Sequence, residues 1–295
     1  MVLDTDQTKI RKLSSFLARM NGDRHHHVGY CGEQEGEIYS TLLEDFSENG
    51  RLSSQRFTVI YDQDQMVGAL GFDVDEEEGT AEIWGPFIDG QGELWHRLAK
   101  ELWVEGTTKL NGSVSRYFGF YNAAHLSAAR FMEDKGGRKT GVHHVLRFQK
   151  STLLTNAAPG LQDITPEYWD EFADLHGKAF PNTYLSSESI LRKLDEDHRL
   201  FILTEDGRFA GYVYVEGDPE FQEGSIEYIA VSEHFRRKGY GRILLDQALH
   251  YLFQVLQLEE ISLCVDQDNA GALQLYHRAG FETVHKLAAY VLERT

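Results

Sequence analysis

Residues 236–241, Arg-Arg-Lys-Gly-Tyr-Gly, combine three adjacent cations with two glycines. A diphosphate is bound by positive charge and by unpartnered backbone N–H groups, and the N-terminus of a helix offers such groups together with its dipole. Gly239 and Gly241 lack a Cβ atom, so the backbone there can adopt positive φ and approach a phosphate closely. A tight structural turn also explains two glycines, but a buried turn is a poor place for three bases. The segment therefore predicts a binding site for a diphosphate group.

Such a loop must be held between regular elements, and the flanking sequence supplies them. The apolar run SIEYIAV before the loop predicts a strand. After the loop, apolar residues recur at spacings of three and four, which predicts an amphipathic helix that begins near Tyr240. The strand, loop and helix together would aim the N-terminus of the helix at the bound phosphates.

The surrounding sequence predicts a mixed sheet with helices on both faces. Upstream, two β-rich runs flank Glu205-Asp206-Gly207 and predict a hairpin. A helix opened by Thr165 and Pro166 and a short helix over residues 188–194 precede that hairpin. Downstream, ISLCVD predicts a strand, residues 270–279 predict a helix that ends at Gly280, and FETVH and LAAYVLE predict two terminal strands.

The chain also contains an internal repeat. Landmarks of the first half recur in the same order in the second half, 143 or 144 residues later, with one pair 147 residues apart. The matched pairs are Gly68 with Gly211, Trp84 with Tyr228, Asn122 with Asn269, and Gly136 with Gly280. We therefore expect two copies of one domain, residues 1–150 and 161–295, joined by a small, polar linker at residues 151–160.

The second copy resembles the GNAT family of N-acetyltransferases. Arg-x-x-Gly-x-Gly at residues 236–241, after a strand that ends Ile-Ala-Val, is similar to the acetyl-CoA signature of that family, and Asn269, Tyr276 and Gly280-Phe281 follow in the family's order. The resemblance covers residues 226–281 by motif and reaches back to about Leu161 by the order of elements. It implies an α/β (α+β) fold class with two tandem GNAT-like domains, each a mixed, mostly antiparallel sheet flanked by helices.

The resemblance also implies roles for individual residues. The loop would bind the pyrophosphate of acetyl-CoA, Val231 N–H would polarise the thioester carbonyl, and the Tyr276 hydroxyl would protonate the departing CoA thiolate as a general acid. A packed aromatic residue on an amphipathic helix is the alternative for Tyr276. The implied cofactor-binding residues are Ile229, Ala230, Val231, Arg236, Arg237, Lys238, Gly239, Tyr240, Gly241, Arg242, Asn269 and Tyr276.

The general base is less well defined. Some family members carry a glutamate in a Leu-Glu-Val strand, but here that pattern reads Leu263-Cys264-Val265. Glu227, on the strand before the loop, is the substitute that we expect to accept an ammonium proton, directly or through water. A solvent-facing role for Glu227, with a water held by backbone groups as the base, is the alternative.

The first copy departs from the pattern where the chemistry would lie. Its loop reads Asp89-Gly90-Gln91-Gly92-Glu93-Leu94, which is shorter and carries acids in place of the three bases. Ile83 stands at the position of Glu227, and Met132 at that of Tyr276. We expect the first copy to be degenerate, with a structural or substrate-shaping role.

Two other clusters are weighed as binding sites. His25, His26 and His27 are adjacent, with His143 and His144 as partners to consider, but adjacent histidines rarely point at one ion and no acidic or cysteine ligand pattern accompanies them, so we expect no metal. An acidic run around residues 216–227 is typical of a solvated hairpin tip.

Composition limits the function further. The 295 residues carry a formal net charge of -18, which disfavours nucleic acids and anionic membranes as partners and suits either solubility or a cationic substrate. The two cysteines, the absence of a signal-like segment and the absence of a long apolar run predict a soluble, cytoplasmic protein.

The resemblance implies an acyltransferase that moves an acetyl group from acetyl-CoA to a primary amine. The acceptor would be a small and cationic molecule or a peptide amine, and the segment Ala179–Ser187 would form part of its wall. The alternatives are a non-catalytic module that senses acyl-CoA or an amino acid, and an interaction scaffold. A sensor needs no acid for a leaving thiolate, so Tyr276 favours the enzyme. The oligomeric state is not readable from the sequence.

Overall fold

A computed structural model describes residues 6–48, 50–150, 162–181 and 183–294. The predicted linker at residues 151–160 lies outside these ranges. The chain divides into two compact units, Met1–His143 with His285–Thr295, and His144–Val284. Among the described residues no helix is long and apolar enough to cross a membrane.

Eight α-helices are found in the described ranges. They are α1 (Asp6–Asn21), α2 (Glu35–Glu44), α3 (Gly92–Lys109), α4 (Leu126–Asp134), α5 (Trp169–Ala179), α6 (Ser187–Lys193), α7 (Tyr240–His250) and α8 (Ala270–Ala279). The strands are β1 (Ser47–Glu48), β2 (Arg51–Leu52), β3 (Phe57–Asp62), β4 (Gln65–Asp75), β5 (Thr80–Ile88), β6 (Arg116–Asn122), β7 (Arg138–Gln149), β8 (Gln162–Asp163), β9 (His198–Glu205), β10 (Arg208–Asp218), β11 (Glu223–Val231), β12 (Glu260–Asp266) and β13 (Glu282–Glu293).

The first unit contains a sheet of order β3-β4-β5-β6-β13. Its neighbouring strands are antiparallel except for β5 and β6, which pair in parallel over residues 80–82 and 116–118. Apolar residues of α1, α2, α3 and α4 pack with the sheet into one core, including the fully buried Leu17 and Trp95.

The second unit contains a sheet of order β7-β12-β11-β10-β9-β8 with a core on each face. On one face, Phe172 of α5 and Ile190 of α6 pack on the sheet. On the other face, α7 and α8 pack on it through residues that include Leu244, Leu249 and Tyr276. The expected mixed sheet with helices on both faces is therefore confirmed.

Local sequence explains the turns of the second unit. Asp206 and Gly207 both have positive φ, 52° and 73°, as a two-residue hairpin turn requires. Pro166 opens a 3₁₀ turn that leads into α5, and Gly280 ends α8 at φ 111°. A π-helical turn over Tyr251–Val255 extends α7, so the predicted amphipathic helix continues to residue 255 with altered geometry.

The end of the chain differs from the sequence prediction. FETVH and LAAYVLE form one continuous strand, β13, because the link between them contains no turn-forming residue. Residues 287–293 of that strand pair antiparallel with β6, which is why the last residues belong to the first unit. The compact units therefore do not coincide with the two contiguous halves of the repeat.

The pairing of Asn122 with Asn269 is wrong. Asn269 caps α8 by accepting a hydrogen bond from Ala272 N–H, at 3.1 Å. In the first unit the cap of α4 is His125, whose ring accepts from Ala128 N–H at 3.4 Å. Since His125 and Asn269 are 144 residues apart, like Gly136 and Gly280, no length difference separates the two copies here.

Candidate active site

The strand β11 has one edge that is only partly paired. Toward β10 it is paired along its length, from Glu223 to Val231. Toward β12 the parallel pairing covers residues 223–225 with 260–262 and ends there. The backbone groups of Ile229, Ala230 and Val231 on that side therefore lie past the end of the ladder, where an extended molecule can pair with them.

A β-bulge places Glu227 at this edge. Tyr214 of β10 faces Tyr228, and Val215 faces Ile226, so Glu227 has no opposite residue on β10. Ile226 packs in the core on the α7 side, whereas Tyr228 packs in the core on the α5 side. The extra residue changes the face on which the following side chains lie, and bulges of this kind commonly re-aim a side chain near an active site.

The loop before α7 has part of the backbone geometry that the sequence predicts for anion binding: φ is positive at Gly239, whereas Gly241 lies in the first turn of α7 without a positive φ. Gly239, the N-cap residue of α7, has φ 86°, and Arg237 has φ 63°. A glycine N-cap has no side chain to cover the first N–H groups of the helix, so these groups are free to face a ligand. Gly241 lies close to α8, where an added Cβ would be 3.4 Å from Leu275 Cδ2.

The charges of the loop are distributed unevenly. Lys238 Nζ forms an ion pair with Glu205 at 2.6 Å, and the Tyr240 hydroxyl also donates to Glu205. Arg236 Nε donates to Val231 O at 3.2 Å, which folds that side chain back onto β11. Arg237 forms no ion pair or hydrogen bond with any described residue. Arg237 is therefore the cation of the loop that is most available to a phosphate.

Two further residues of the predicted cofactor set already have protein partners. Arg242 Nε donates a hydrogen bond to Asp246 at 2.8 Å, and Arg242 Nη1 donates to Arg278 O at 3.5 Å. The Asn269 side-chain oxygen caps α8, which leaves its amide nitrogen for other contacts. Sequence reasoning missed Glu205 and Asp246 as competitors for the loop's cations, although Glu205 stands next to the hairpin turn.

Tyr276 lies two turns into α8 and is buried, 5% exposed, against Phe281. It packs in the same hydrophobic core as Ile229, Val231 and Tyr240, on the face of the sheet that α7 and α8 cover. Burial raises the pKa of the Tyr276 hydroxyl above its ordinary value. The hydroxyl therefore keeps its proton at neutral pH.

Residues between α5 and α6 meet β11 from the opposite side. The Tyr184 hydroxyl donates to Glu227 Oε2, and Thr183 Oγ1 and the Tyr228 hydroxyl share a hydrogen bond of 2.6 Å. Both contacts involve the segment that the sequence analysis expected at the acceptor wall; Asn182 of that segment lies outside the described residues. Protein atoms around the hydroxyl, which partly desolvate it although most of the side chain is exposed, and then the charge of Glu227 raise the pKa of the Tyr184 hydroxyl.

Cys264 occupies the strand position at which the Leu-Glu-Val pattern has its glutamate. Its side chain is exposed at the surface, and neighbouring protein atoms still crowd the thiol and reduce its contact with water. This burial, together with the carboxylates of Glu227 and Asp266, raises the pKa of the Cys264 thiol to about 12. Cys264 and Glu227 therefore lie close enough to interact, and the thiol is neutral at physiological pH.

The corresponding region of the first unit is built differently. Three residues, 89–91, connect β5 to α3, whereas eight, 232–239, connect β11 to α7. Asp89 forms an ion pair with Arg19 at 2.9 Å. The buried Tyr121 hydroxyl donates to Gly85 O, 2.9 Å away, and lies 3.8 Å from Met132 Sδ. Gly85 is the counterpart of Ile229 at the 144-residue offset, so a side chain of the protein occupies this edge.

The histidines do not form the cluster considered from the sequence. His25 pairs with Asp23, His26 packs on His125, and His143 packs on Phe120. His27 instead joins Glu33 and His285, the one group of possible metal ligands within the described ranges, and all three belong to the first unit.

Hydrogen bonding in this group is unsuited to a metal. Ala124 N–H donates to Asn122 Oδ1, so Asn122 Nδ2 must donate to His285 Nδ1, at 3.0 Å. The proton of neutral His285 then lies on Nε2 and donates to Glu33 Oε1 at 2.8 Å. The rings of His27 and His285 are stacked 3.8 Å apart and nearly parallel, so one ion cannot lie in the plane of both. We therefore interpret the group as a hydrogen-bonded network.

Comparisons with known proteins agree with this geometry. Residues 163–281 match the model of the Acetyltransferase (GNAT) family. A mycothiol acetyltransferase of Tsukamurella paurometabola is 35% identical over 86 residues, 29% of this chain and 29% of that protein. A spermidine N(1)-acetyltransferase of Escherichia coli is 31% identical over 99 residues, 32% of this chain and 50% of that protein. The matched segments thus span half or less of these relatives.

Two solved structures resemble the whole chain. A GCN5-related N-acetyltransferase from Sphaerobacter thermophilus has a TM-score of 0.72 at 17% identity, with 97% of this chain and 93% of that chain covered. A tandem GNAT protein from the clavulanic acid biosynthesis pathway has a TM-score of 0.63 at 14% identity, with 98% and 96% covered. Residues 163–281 therefore match the GNAT acetyltransferase family, and the fold of the whole chain is similar to that of a tandem GNAT protein.

Proposed function

We propose that the second unit transfers an acetyl group from acetyl-CoA to a primary amine. The observation that carries this proposal is the partly paired edge of β11 in a unit that also holds an uncapped helix N-terminus with Arg237, the buried Tyr276, and the carboxylate of Glu227. The reaction has three requirements, which are binding of a diphosphate, protonation of a leaving thiol and deprotonation of an amine. Each of the three features fits one of them.

The site residues fit the cosubstrate. The N–H groups at the start of α7 and the guanidinium of Arg237 would hold its pyrophosphate, and backbone groups of residues 229–231 that face away from β10 would pair with its extended arm, beside the Val231 carbonyl that Arg236 already occupies. The bound cosubstrate supplies a thioester carbonyl to the amine. Glu227 accepts the proton that the ammonium must lose before its nitrogen can form the new C–N bond, and the Tyr276 hydroxyl gives its proton to the sulfur as the C–S bond breaks.

We assign one cosubstrate to each chain. In the first unit the loop is too short, its acid is paired with Arg19, and Tyr121 already bonds to Gly85 O. Met132 has no proton to donate in the place of Tyr276. The first unit would then serve a structural or substrate-shaping role.

A cationic acceptor fits the charges on the amine side. Glu227 and Glu216 both interact electrostatically with the exposed Tyr184. Glu216 is partly neutralised by Lys193, at 3.0 Å, whereas Glu227 forms no ion pair with any described residue. The spermidine N(1)-acetyltransferase among the relatives acts on a polyamine, which agrees with this class of acceptor.

Release of CoA across an acceptor panel tests this function. We expect polyamines, aminoglycosides and amino-acid amides to be acetylated faster than acidic acceptors, because a cleft of one charge raises association rates by ~10–10³-fold. The advantage should decline as added salt screens the charges. A preference for an anionic acceptor, or rates indifferent to both acceptor charge and salt, would contradict the cationic acceptor. Cofactor binding without acetylation of any amine would indicate a sensor instead.

Calorimetry tests the assignment of the cosubstrate site. We expect one acetyl-CoA per chain, and Arg237→Glu should weaken binding by at least about tenfold because a favourable charge near a phosphate becomes repulsive. Arg208→Glu, an exposed arginine on β10, is the matched control and should bind normally. Two sites of similar affinity, or equal losses in both variants, would refute the assignment.

A further inference from the structure

The connection between α5 and α6 is anchored more firmly than a surface loop requires. The carbonyl of Leu185 accepts a hydrogen bond from His176 Nε2 at 2.9 Å. Because Nε2 must carry the proton, Nδ1 accepts from the Tyr212 hydroxyl, 2.6 Å away. His176 and Tyr212 are both buried, and burial lowers the pKa of His176, so this chain of hydrogen bonds holds the neutral imidazole.

These contacts place Tyr184 between two tethered neighbours. Thr183 is bonded to the Tyr228 hydroxyl, and Leu185 is bonded to His176. Tyr184 itself is 72% exposed, although its hydroxyl donates to Glu227. An exposed tyrosine gains little from burial, so the tethers and the contact with Glu227 determine its position.

The contact leaves half of the carboxylate available. Tyr184 occupies Oε2 of Glu227, and Oε1 has no hydrogen bond from any described residue. A carboxylate accepts several hydrogen bonds over its two oxygens, so an incoming ammonium can bind Oε1 while Tyr184 stays in place. The exposed face of the Tyr184 ring would then lie beside the carbon that bears the amine.

We infer that Tyr184 is a positioning residue, whose hydroxyl holds the Glu227 carboxylate toward the acceptor and whose ring forms the wall against which the acceptor's aliphatic carbons pack. The inference rests on the proposed amine acetylation for its substrate class, an alkylammonium with methylene groups next to the nitrogen. The positioning of Glu227 by Tyr184 can be tested without measuring activity, because the Glu227 carboxylate also acts electrostatically on the thiol of Cys264.

The first experiment measures alkylation of Cys264 by iodoacetamide, followed by peptide mass spectrometry. The groups that interact electrostatically with Glu227 are Tyr184 from the connection, Tyr214 from β10, the adjacent Tyr228 on β11 itself, and Cys264 from β12. In Tyr184→Phe the freed carboxylate can turn to solvent, so alkylation should become faster and approach the rate in Glu227→Gln. An alkylation rate equal to that of the wild type overturns the positioning role, whatever the activity.

The second experiment measures acetylation kinetics. Tyr184→Phe should lower kcat/KM for the amine by about tenfold, as for the loss of one charge-assisted hydrogen bond, with KM for acetyl-CoA unchanged. Tyr168→Phe, in the 3₁₀ turn before α5, is the matched control and should change neither parameter.

The contrary outcomes are distinct. An unchanged kcat/KM for the amine in Tyr184→Phe would show that the hydroxyl does not position Glu227, and a lower KM for the amine would show that the hydroxyl competes with the acceptor. Either result overturns the inference. A wild-type chain that acetylates no amine defeats the proposed function, and the alkylation rates still decide whether Tyr184 holds Glu227.

The ring is tested with linear alkylamines of increasing length. Burial of a methylene group is worth about 0.8 kcal/mol, so kcat/KM should rise by about threefold for each of the first methylenes added. This increase should persist in Tyr184→Phe, which keeps the ring, and should disappear in Tyr184→Ala. The same increase in Tyr184→Ala would refute the role of the Tyr184 ring as a wall for the acceptor's methylene groups. Because the side chain is exposed, neither variant should unfold the protein, and urea unfolding checks this.

Discussion

Tyr276→Phe should abolish most of the acetyl transfer while leaving the cosubstrate bound. Positioned general acids contribute ~10²–10⁴-fold to rate, so kcat should fall by about that factor. The variant keeps the aromatic ring that packs on Phe281, so the fold and the affinity for acetyl-CoA should be retained. The measurement is steady-state turnover together with calorimetric binding of acetyl-CoA.

The pH dependence gives an additional check on this role. Burial raises the pKa of Tyr276, so the wild-type hydroxyl should remain protonated across the neutral and mildly alkaline range, and its ionisation should not limit the rate there. A suitable control is Tyr251→Phe, which loses a hydroxyl bonded to Glu196 O and should keep its kcat. Unchanged turnover of Tyr276→Phe, with an acceptor for which chemistry limits the rate, would remove Tyr276 from the mechanism.

The parts of the fold that could be predicted from the sequence are those that short, local sequence patterns determine. The hairpin at Asp206-Gly207, the start of α7 at Tyr240 and the helix over residues 270–279 all follow from turn residues, caps and apolar spacing. These features depend on neighbours in sequence. The continuous β13 and its pairing with β6 depend on a partner strand about 170 residues away, which no local pattern can reveal.

The candidate site divides in the same way, into features that the sequence predicts and features that depend on contacts across the fold. Residue type and spacing predicted the loop at 236–241 as a diphosphate site, because its chemistry is carried by the residues themselves, whereas Tyr276 and Glu227 became candidates through the resemblance to the GNAT family. The ion pair of Lys238 with Glu205 and the contact of Tyr184 with Glu227 depend on distances across the fold. His125 could not be predicted either, because it caps α4 with a ring nitrogen. Histidine is not among the residue types usually expected at the N-cap of a helix.

The remaining prediction concerns Cys264, whose thiol should react slowly below strongly alkaline pH. The pKa of about 12 arises first from burial, then from the carboxylates of Glu227 and Asp266, all of which disfavour the thiolate. The thiolate is the reactive form, and an ordinary cysteine has a pKa near 8.5. At pH 8 Cys264 should therefore be alkylated ~10²-fold more slowly than an unperturbed thiol, after allowance for the greater nucleophilicity of a more basic thiolate.

The rate should also rise about tenfold per pH unit up to at least pH 10, because the thiolate fraction grows in that proportion below the pKa. Peptide mass spectrometry separates this reaction from that of Cys31, which is buried in the first unit. Glu227→Gln should lower the pKa of Cys264 and accelerate alkylation, since it removes the first of the two charges that oppose the thiolate. Glu220→Gln, at the exposed tip of the β10–β11 hairpin, removes a charge that does not act on Cys264 and should leave the rate unchanged.

A plateau in the alkylation rate near pH 9 would contradict the raised pKa and, with it, the crowded cleft around Cys264. Equal rates in Glu227→Gln and Glu220→Gln would mean that Glu227 does not face β12. Since β12 carries Cys264 where the Leu-Glu-Val pattern has its glutamate, that result would also remove Glu227 as its replacement. Faster alkylation in Glu227→Gln alone would place a carboxylate from β11 beside the β12 position that lacks one, which is the arrangement that amine deprotonation requires.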